Sequence, residues 1–326
     1  MNCRSIACSL TAVALVTLAP AGAAAQTDAS EAPRTAWGAP DLQGVWDFRS
    51  LTPMERPEEL AEEESFSPEQ AAEFAAETIR SRSRDADTSD RVVPYNDFWF
   101  DEGTSVTTER TSLIVDPPDG RIPDLTEEAR QRQAALAEAR SAVSSHEPTP
   151  GGFVEDLGPG GLQVRCILGF NSGPPMAPSA YNNNLQVFQT EDTVVLFAEM
   201  NHEARVVPLD GRAHLTDSVR QWTGDSRGHW DGDTLVVETR NFLRETNFQR
   251  GATTPNLTLI ERLTRVDSDT LRYDVTVDDP TVWTRPWTYS VPMQLNPFPL
   301  YEYACHEGNY GLYNILAGAA VAGAEQ

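Results

Sequence analysis

Leu257-Thr-Leu-Ile-Glu261-Arg-Leu-Thr-Arg-Val-Asp267-Ser-Asp269-Thr-Leu-Arg-Tyr273-Asp-Val-Thr-Val277 is the stretch that decides the fold of this chain. Apolar residues recur at every second position over two runs of strand length, parted by an Asp-Ser-Asp tract. Strand side chains alternate between faces, so the pattern predicts a hairpin with one buried wall and one wet wall. Charge selects the register. With 267–269 as the loop, Arg262 opposes Asp274, Leu263 opposes Tyr273 and Leu259 opposes Val277. A two-residue loop would set Arg265 against Arg272, which is unfavourable. The preferred register puts Leu257, Leu259, Leu263, Leu271, Tyr273, Val275 and Val277 on one face, with Glu261 in their midst. A carboxylate so placed must be paired, protonated or useful. Arg285 is one candidate partner.

Outward from this hairpin the second half of the chain reads as all β. Strands are expected at 185–190, 193–199, 202–208, 225–230, 233–240, 257–266, 270–277, 284–292 and 299–303. Short strands at this spacing predict a mainly β fold, an antiparallel meander closing into a lipocalin-like barrel or a sandwich. The Asp231-Gly232 pair predicts a two-residue turn that sets Trp230 opposite Asp233 and Gly228 opposite Leu235. A third hairpin turns at Met200-Asn201 and pairs Glu199 with His202, on a face shared with Val195, Phe197, Ala204 and Val206. A carboxylate beside a histidine orients a neutral imidazole as a general base; it is also how an ordinary buried histidine is satisfied.

Towards the N-terminus, residues 26–41 read as a flexible lead and 42–48 as a first strand. Ser67-Pro68-Glu69-Gln70 is a capping box opening a helix over 68–83, and a second helix is expected over 126–143, both packed outside the sheet. Between them Thr111 to Val115 and Arg121-Ile122 flank Pro117-Pro118-Asp119-Gly120, a strand–turn–strand signal. Residues 148–178 are rich in Gly and Pro, either a linker or a loop folded over a site. One β-rich domain over 42–317 and a flexible tail over 318–326 complete the expected organisation.

Arg4, the apolar run 6–20 and Ala23-Ala24-Ala25 form an export leader, with cleavage expected before Gln26. No later stretch is apolar enough to insert in a membrane, so a periplasmic or secreted chain is expected. Cys3 and Cys8 leave with the leader, and the remaining Cys166 and Cys305 are expected to form a disulfide in an oxidising compartment, the alternative being two separate buried thiols. A net charge of −24 argues against nucleic acid or an anionic membrane as partner. The chain contains no lysine, which removes Schiff-base and pyridoxal-phosphate lysine chemistry. No phosphate loop or dinucleotide fingerprint occurs, so no cofactor is expected.

Gly224-Asp225-Ser226-Arg227-Gly228 matches a nucleophile elbow, but that motif needs a following helix and Asp231-Gly232 turns the chain into another strand. His202-Glu203 and His306-Glu307 lack the second histidine of a zinc-protease motif, and a metal shared by Glu199, His202 and His306 is the lesser alternative to no metal. The reading that follows is a pocket for a small organic molecule. His202 would be the base, Glu199 its orienting partner and Glu261 or His306 the acid, with Trp230, Tyr273, Arg285, Trp287 and Tyr301 lining the pocket. Lyase, isomerase or hydrolase chemistry fits those roles. The alternative is a non-catalytic carrier or scavenger.

Gly44-Val45-Trp46 resembles the opening of lipocalin-type barrels, whose tryptophan plugs the closed end. Thr111-Ser-Leu-Ile-Val-Asp-Pro-Pro-Asp-Gly-Arg121, Trp222-Thr-Gly-Asp-Ser-Arg-Gly-His-Trp-Asp-Gly-Asp-Thr-Leu-Val-Val-Glu238, Thr284-Arg-Pro-Trp287 and Tyr301-Glu-Tyr-Ala-Cys-His-Glu-Gly-Asn-Tyr310 resemble a large family of uncharacterised exported bacterial proteins. That resemblance implies export and no particular reaction.

Overall fold

The computed structural model describes residues 32–85, 96–139, 141, 159–243 and 254–324. The expected leader lies outside the described residues, as does the Gly/Pro-rich segment up to 158. Ten strands make one antiparallel sheet: β1 Gly44–Asp47, β2 Ile114–Asp116, β3 Asn184–Gln189, β4 Thr193–Ala198, β5 Ala204–Pro208, β6 Asp225–Asp231, β7 Thr234–Arg240, β8 Thr258–Arg265, β9 Thr270–Asp278 and β10 Trp287–Asn296. Their order is β5-β4-β3-β1-β10-β9-β8-β7-β6, with β2 pairing onto β10 beside this path.

The ladder does not close into the expected barrel. β5 and β6 are its two ends, and no strand pairing joins them among the described residues. The two edges meet through side chains instead. Gly228 of β6 lets Val207 and Leu209 approach, since a Cβ there would lie 2.8 Å from Val207 and 2.6 Å from Leu209. Arg205 of β5 reaches past β6 to Thr239 of β7 and Glu261 of β8.

The β8–β9 hairpin takes the register that charge selected: Arg262 opposite Asp274, Leu263 opposite Tyr273, Leu259 opposite Val277. Its apolar wall is fully buried, Glu261 included. In the β6–β7 hairpin Trp230 pairs with Leu235 and Gly228 with Val237, two residues beyond expectation. The turn is Gly232-Asp233 with Gly232 at φ 59°, not Asp231-Gly232. A slip of two keeps every side chain on its expected face.

The β4–β5 hairpin corrects the face, not the register. Phe197 pairs with Ala204, as a Glu199–His202 pairing would require, but the ladder stops there. Val194, Leu196, Arg205 and Val207 are the buried set, and Val206 is exposed. Residues 193–198 are almost uniformly apolar, so alternation could not tell inside from outside.

Four other expectations change. Residues 299–303 form no strand, and the segment after Pro117-Pro118 does not return as one; β2 pairs with β10. Residues 32–41 are folded rather than loose, with a bridge between Arg34 and Pro40 and the Gln189 amide bonded to Pro40 O at 3.0 Å and Leu42 N at 2.9 Å. Residues 318–324 of the expected tail belong to a helix, α4 Tyr310–Ala324 (α3 being the short Pro159–Val164).

Helices α1 Pro68–Arg82 and α2 Glu127–Ala139 form where expected, α1 with both capping-box bonds in place. Each buries only alanines: Ala71 and Ala75, and Ala129. The core lies on the sheet's apolar face around Trp46, Trp287, Tyr273, Tyr289 and Phe48. Met176 is inserted there, its N–H donating to Tyr273 Oη at 3.2 Å and its carbonyl accepting from Tyr289 Oη at 2.7 Å. Cys166 and Cys305 form a disulfide with Cα atoms 5.8 Å apart. Among the described residues no helix is long and apolar enough to cross a membrane.

Candidate functional site

The expected catalytic quartet does not assemble. Glu261 is sealed inside the sheet. Both oxygens accept from Arg205, Oε1 at 2.7 Å, and Tyr273 Oη donates to Oε1 at 2.5 Å. The expected partner, Arg285, sits at the surface in a two-pronged pair with Asp116 at 2.7 and 2.9 Å. Burial pulls the Arg205 guanidinium downward, but the charge and hydrogen bonds of Glu261, with smaller contributions from Tyr273 and Glu203, together outweigh it and the net shift is upward, so Arg205 stays charged. Burial, reinforced by the Glu261 charge, pushes the Tyr273 and Tyr289 hydroxyls well above their usual range and keeps both as protonated donors. This cluster is a fully satisfied structural network.

His202 lies outside the sheet's core, stacked on Phe197 with ring centroids 5.8 Å apart. Its Nε2 accepts from the Tyr303 backbone N–H at 2.8 Å, an employment that pins the C-terminal segment. The Glu199 carboxylate turns elsewhere, accepting from Asn184 Nδ2 at 2.8 Å. His306 is exposed. Trp287 and Tyr273 are core residues, and Trp230 packs at the core's margin. Among the described residues no three His, Cys, Asp or Glu side chains gather to hold a metal ion. Ser226 of the elbow-like motif is buried against Thr239, its hydroxyl 2.9 Å from Thr239 Oγ1.

What the structure does offer is a groove of about 790 Å³ where the β1, β3 and β10 ends meet the loop 297–301. Asp47 and Arg49 come from the end of β1, Asn184 from the start of β3, Glu199 from just beyond β4, and Gln294 and Asn296 from the end of β10. Asp101, Tyr181, Phe298 and Tyr301 complete its polar and aromatic walls. Of the expected residues, only Glu199 and Tyr301 belong to it.

Antiparallel pairing explains the gathering, because β1 lies between β3 and β10 and their ends share one edge of the sheet. A polar chain then crosses the floor. Phe298 N donates to Asn296 Oδ1 at 3.0 Å, Asn296 Nδ2 to Asn184 Oδ1 at 3.0 Å, and Asn184 Nδ2 to Glu199. Arg49 donates to Asp47 Oδ2 through Nε and Nη2 at 2.7 and 2.5 Å, and through Nη1 to Asp101 at 2.5 Å. The hydrogen bond to Asp47 raises its pKa above the ordinary arginine value; partial burial opposes this and Asp101 adds to it. The guanidinium is thus committed to two aspartates.

The chain leaving Glu199 is strained. Asn201 and His202 hold left-handed φ values of 58° and 51°, a region that costs a non-glycine residue on the order of 1 kcal/mol each. Both Asn201 amide atoms are buried without a hydrogen-bond partner. Strain and an orphaned amide next to a groove carboxylate are the marks of a segment shaped for something other than stability.

Sequence reading missed most of this groove, because Asp47, Asp101, Asn184 and Asn296 are isolated positions in four separated segments. The one local signal was the density of polar residues in Tyr181-Asn-Asn-Asn184 at a strand entrance. Comparison with protein-family models, curated proteins and solved structures yields no match to this chain, so the groove's own geometry carries the functional reading.

Proposed function

We propose that the protein is an exported small-molecule-binding protein of the cell envelope, periplasmic or secreted, that holds a polar organic ligand in the groove. The observation that carries this is the convergence on one groove of about 790 Å³ of charged, amide and aromatic side chains from the ends of β1, β3, β4 and β10 and the loops around them. The disulfide, the leader sequence and the string resemblance to exported proteins support the location. Binding is preferred over acid–base turnover because the four residues that could move protons occupy separate surroundings, with Glu261 already neutralised.

A thermal-shift screen of small polar compounds tests this, each stabilising compound then being followed by mass spectrometry. The expected result is stabilisation by a compound recovered unaltered. Recovery of a converted product would overturn the carrier reading in favour of an enzyme. Gln294→Trp, which fills the groove from an exposed strand position, should remove the stabilisation; an unchanged shift would place the site elsewhere.

A further inference from the structure

The groove's charges do not balance. Asp47, Asp101 and Glu199 face one guanidinium, Arg49, which leaves a formal −2. Arg49 is spent on the two aspartates. Glu199 is only 7% exposed, and its single side-chain partner is the neutral Asn184 amide at 2.8 Å. Among the described residues no Arg or His lies within ion-pair distance of it. A carboxylate buried to that degree is costly without a counter-charge. The contrast with Glu261, whose burial comes with Arg205 and a tyrosine, shows how this chain treats a buried acid that has no ligand to meet.

The walls point the same way. Phe298 is 64% and Tyr301 71% exposed, two large aromatic side chains held out of the core that line the same groove as Glu199. Aromatic faces attract cations, and aromatic walls with a carboxylate are the combination that recognises ammonium groups. Anionic ligands are disfavoured, since no cation in the groove is uncommitted.

Resting on the reading of the groove as the binding site, we infer that its ligand is an organic cation, with a primary or quaternary ammonium seated against Glu199 and flanked by Phe298 and Tyr301. No covalent step is involved. The deep carboxylate selects charge, and the aromatic rim supplies contact area.

Isothermal titration of the full mature protein with putrescine and choline as cations, and glucose as a neutral polyol, tests the inference. The expected result is binding of at least one cation, weakened by added salt and reduced about tenfold or more in Glu199→Gln, the scale of a charge-assisted contact. Tyr301→Leu should weaken it by about two- to fivefold. Should Glu199→Gln fold poorly, the salt titration of the wild-type protein and the exposed Tyr301 variant still decide. Binding of glucose alone, unaffected by salt, would overturn the cation class and leave the groove reading standing. Cation binding that survives both Glu199→Gln and Gln294→Trp would overturn the site itself. No cation binding at millimolar concentration would overturn the inference outright.

Discussion

Glu261 and Glu199 are both more than nine-tenths buried, yet the protein treats them in opposite ways. Glu261, at the centre of the sheet, receives a guanidinium and a phenol, and its charge is spent inside the fold. Glu199, at a strand end, receives one amide and opens onto a groove. The lesson concerns where an isolated acid becomes useful. In a strand interior, neighbouring strands can deliver partners from several sides; at a strand end, one side is left to solvent or ligand.

The comparison breaks most readily at Arg205. Removing one member of a buried ion pair leaves the other uncompensated, so Arg205→Ala or Glu261→Ala should each cost roughly 3–5 kcal/mol in chemical denaturation. The double change Arg205→Ala with Glu261→Ala should cost less than the two single ones added together. If the double variant equals the sum of the singles, the two residues are not acting as a pair. Ligand binding per folded molecule should be unchanged in all three, because none of them touches the groove.

Replacing both cysteines by serine should cost roughly 2–4 kcal/mol by releasing the denatured chain. This variant sharpens the contrast, because the disulfide anchors the segment that carries Tyr301 and bonds His202. Groove ligands should lose affinity while the Glu261 cluster persists. Loss of both together would mean that the two regions unfold as one unit. Tyr273→Phe, which removes one donor to Glu261 and the acceptor of the Met176 N–H, should cost about 1–2 kcal/mol with groove binding intact.

The smallest effect concerns Glu203, whose pKa is raised by burial, against a lowering from its Thr223 hydrogen bond and from Arg205. A carboxyl whose folded pKa exceeds the unfolded value destabilises the fold once pH rises above both, and stability is regained as pH falls through the folded value. Glu203→Gln should therefore raise the melting temperature slightly at pH 7 and leave it unchanged near pH 4. A drop at pH 7 would show that the attraction to Arg205 outweighs the burial.

The β8–β9 hairpin was legible because apolar alternation and one unfavourable Arg–Arg opposition leave a single register. The β4–β5 hairpin was legible in register but not in face, because Val194 to Phe197 are apolar on both sides. Glu261 stood out as a polar break in an apolar wall, yet its partner did not. Arg205 is distant in the chain and reaches it across the unpaired seam between β5 and β6.

Local alternation, turn residues and the cysteine count were enough to indicate a mainly β chain, helices α1 and α2, the buried Glu261 and the Cys166–Cys305 bond, since each depends on short-range pattern or on pairing the two cysteines beyond the expected leader. Whether the sheet closes, which face of an all-apolar strand turns inward, and which four strand ends meet around Glu199 were decided by the tertiary structure. These depend on strand order, with β1 inserted between β3 and β10, and strand order is a long-range property that no local window of sequence carries.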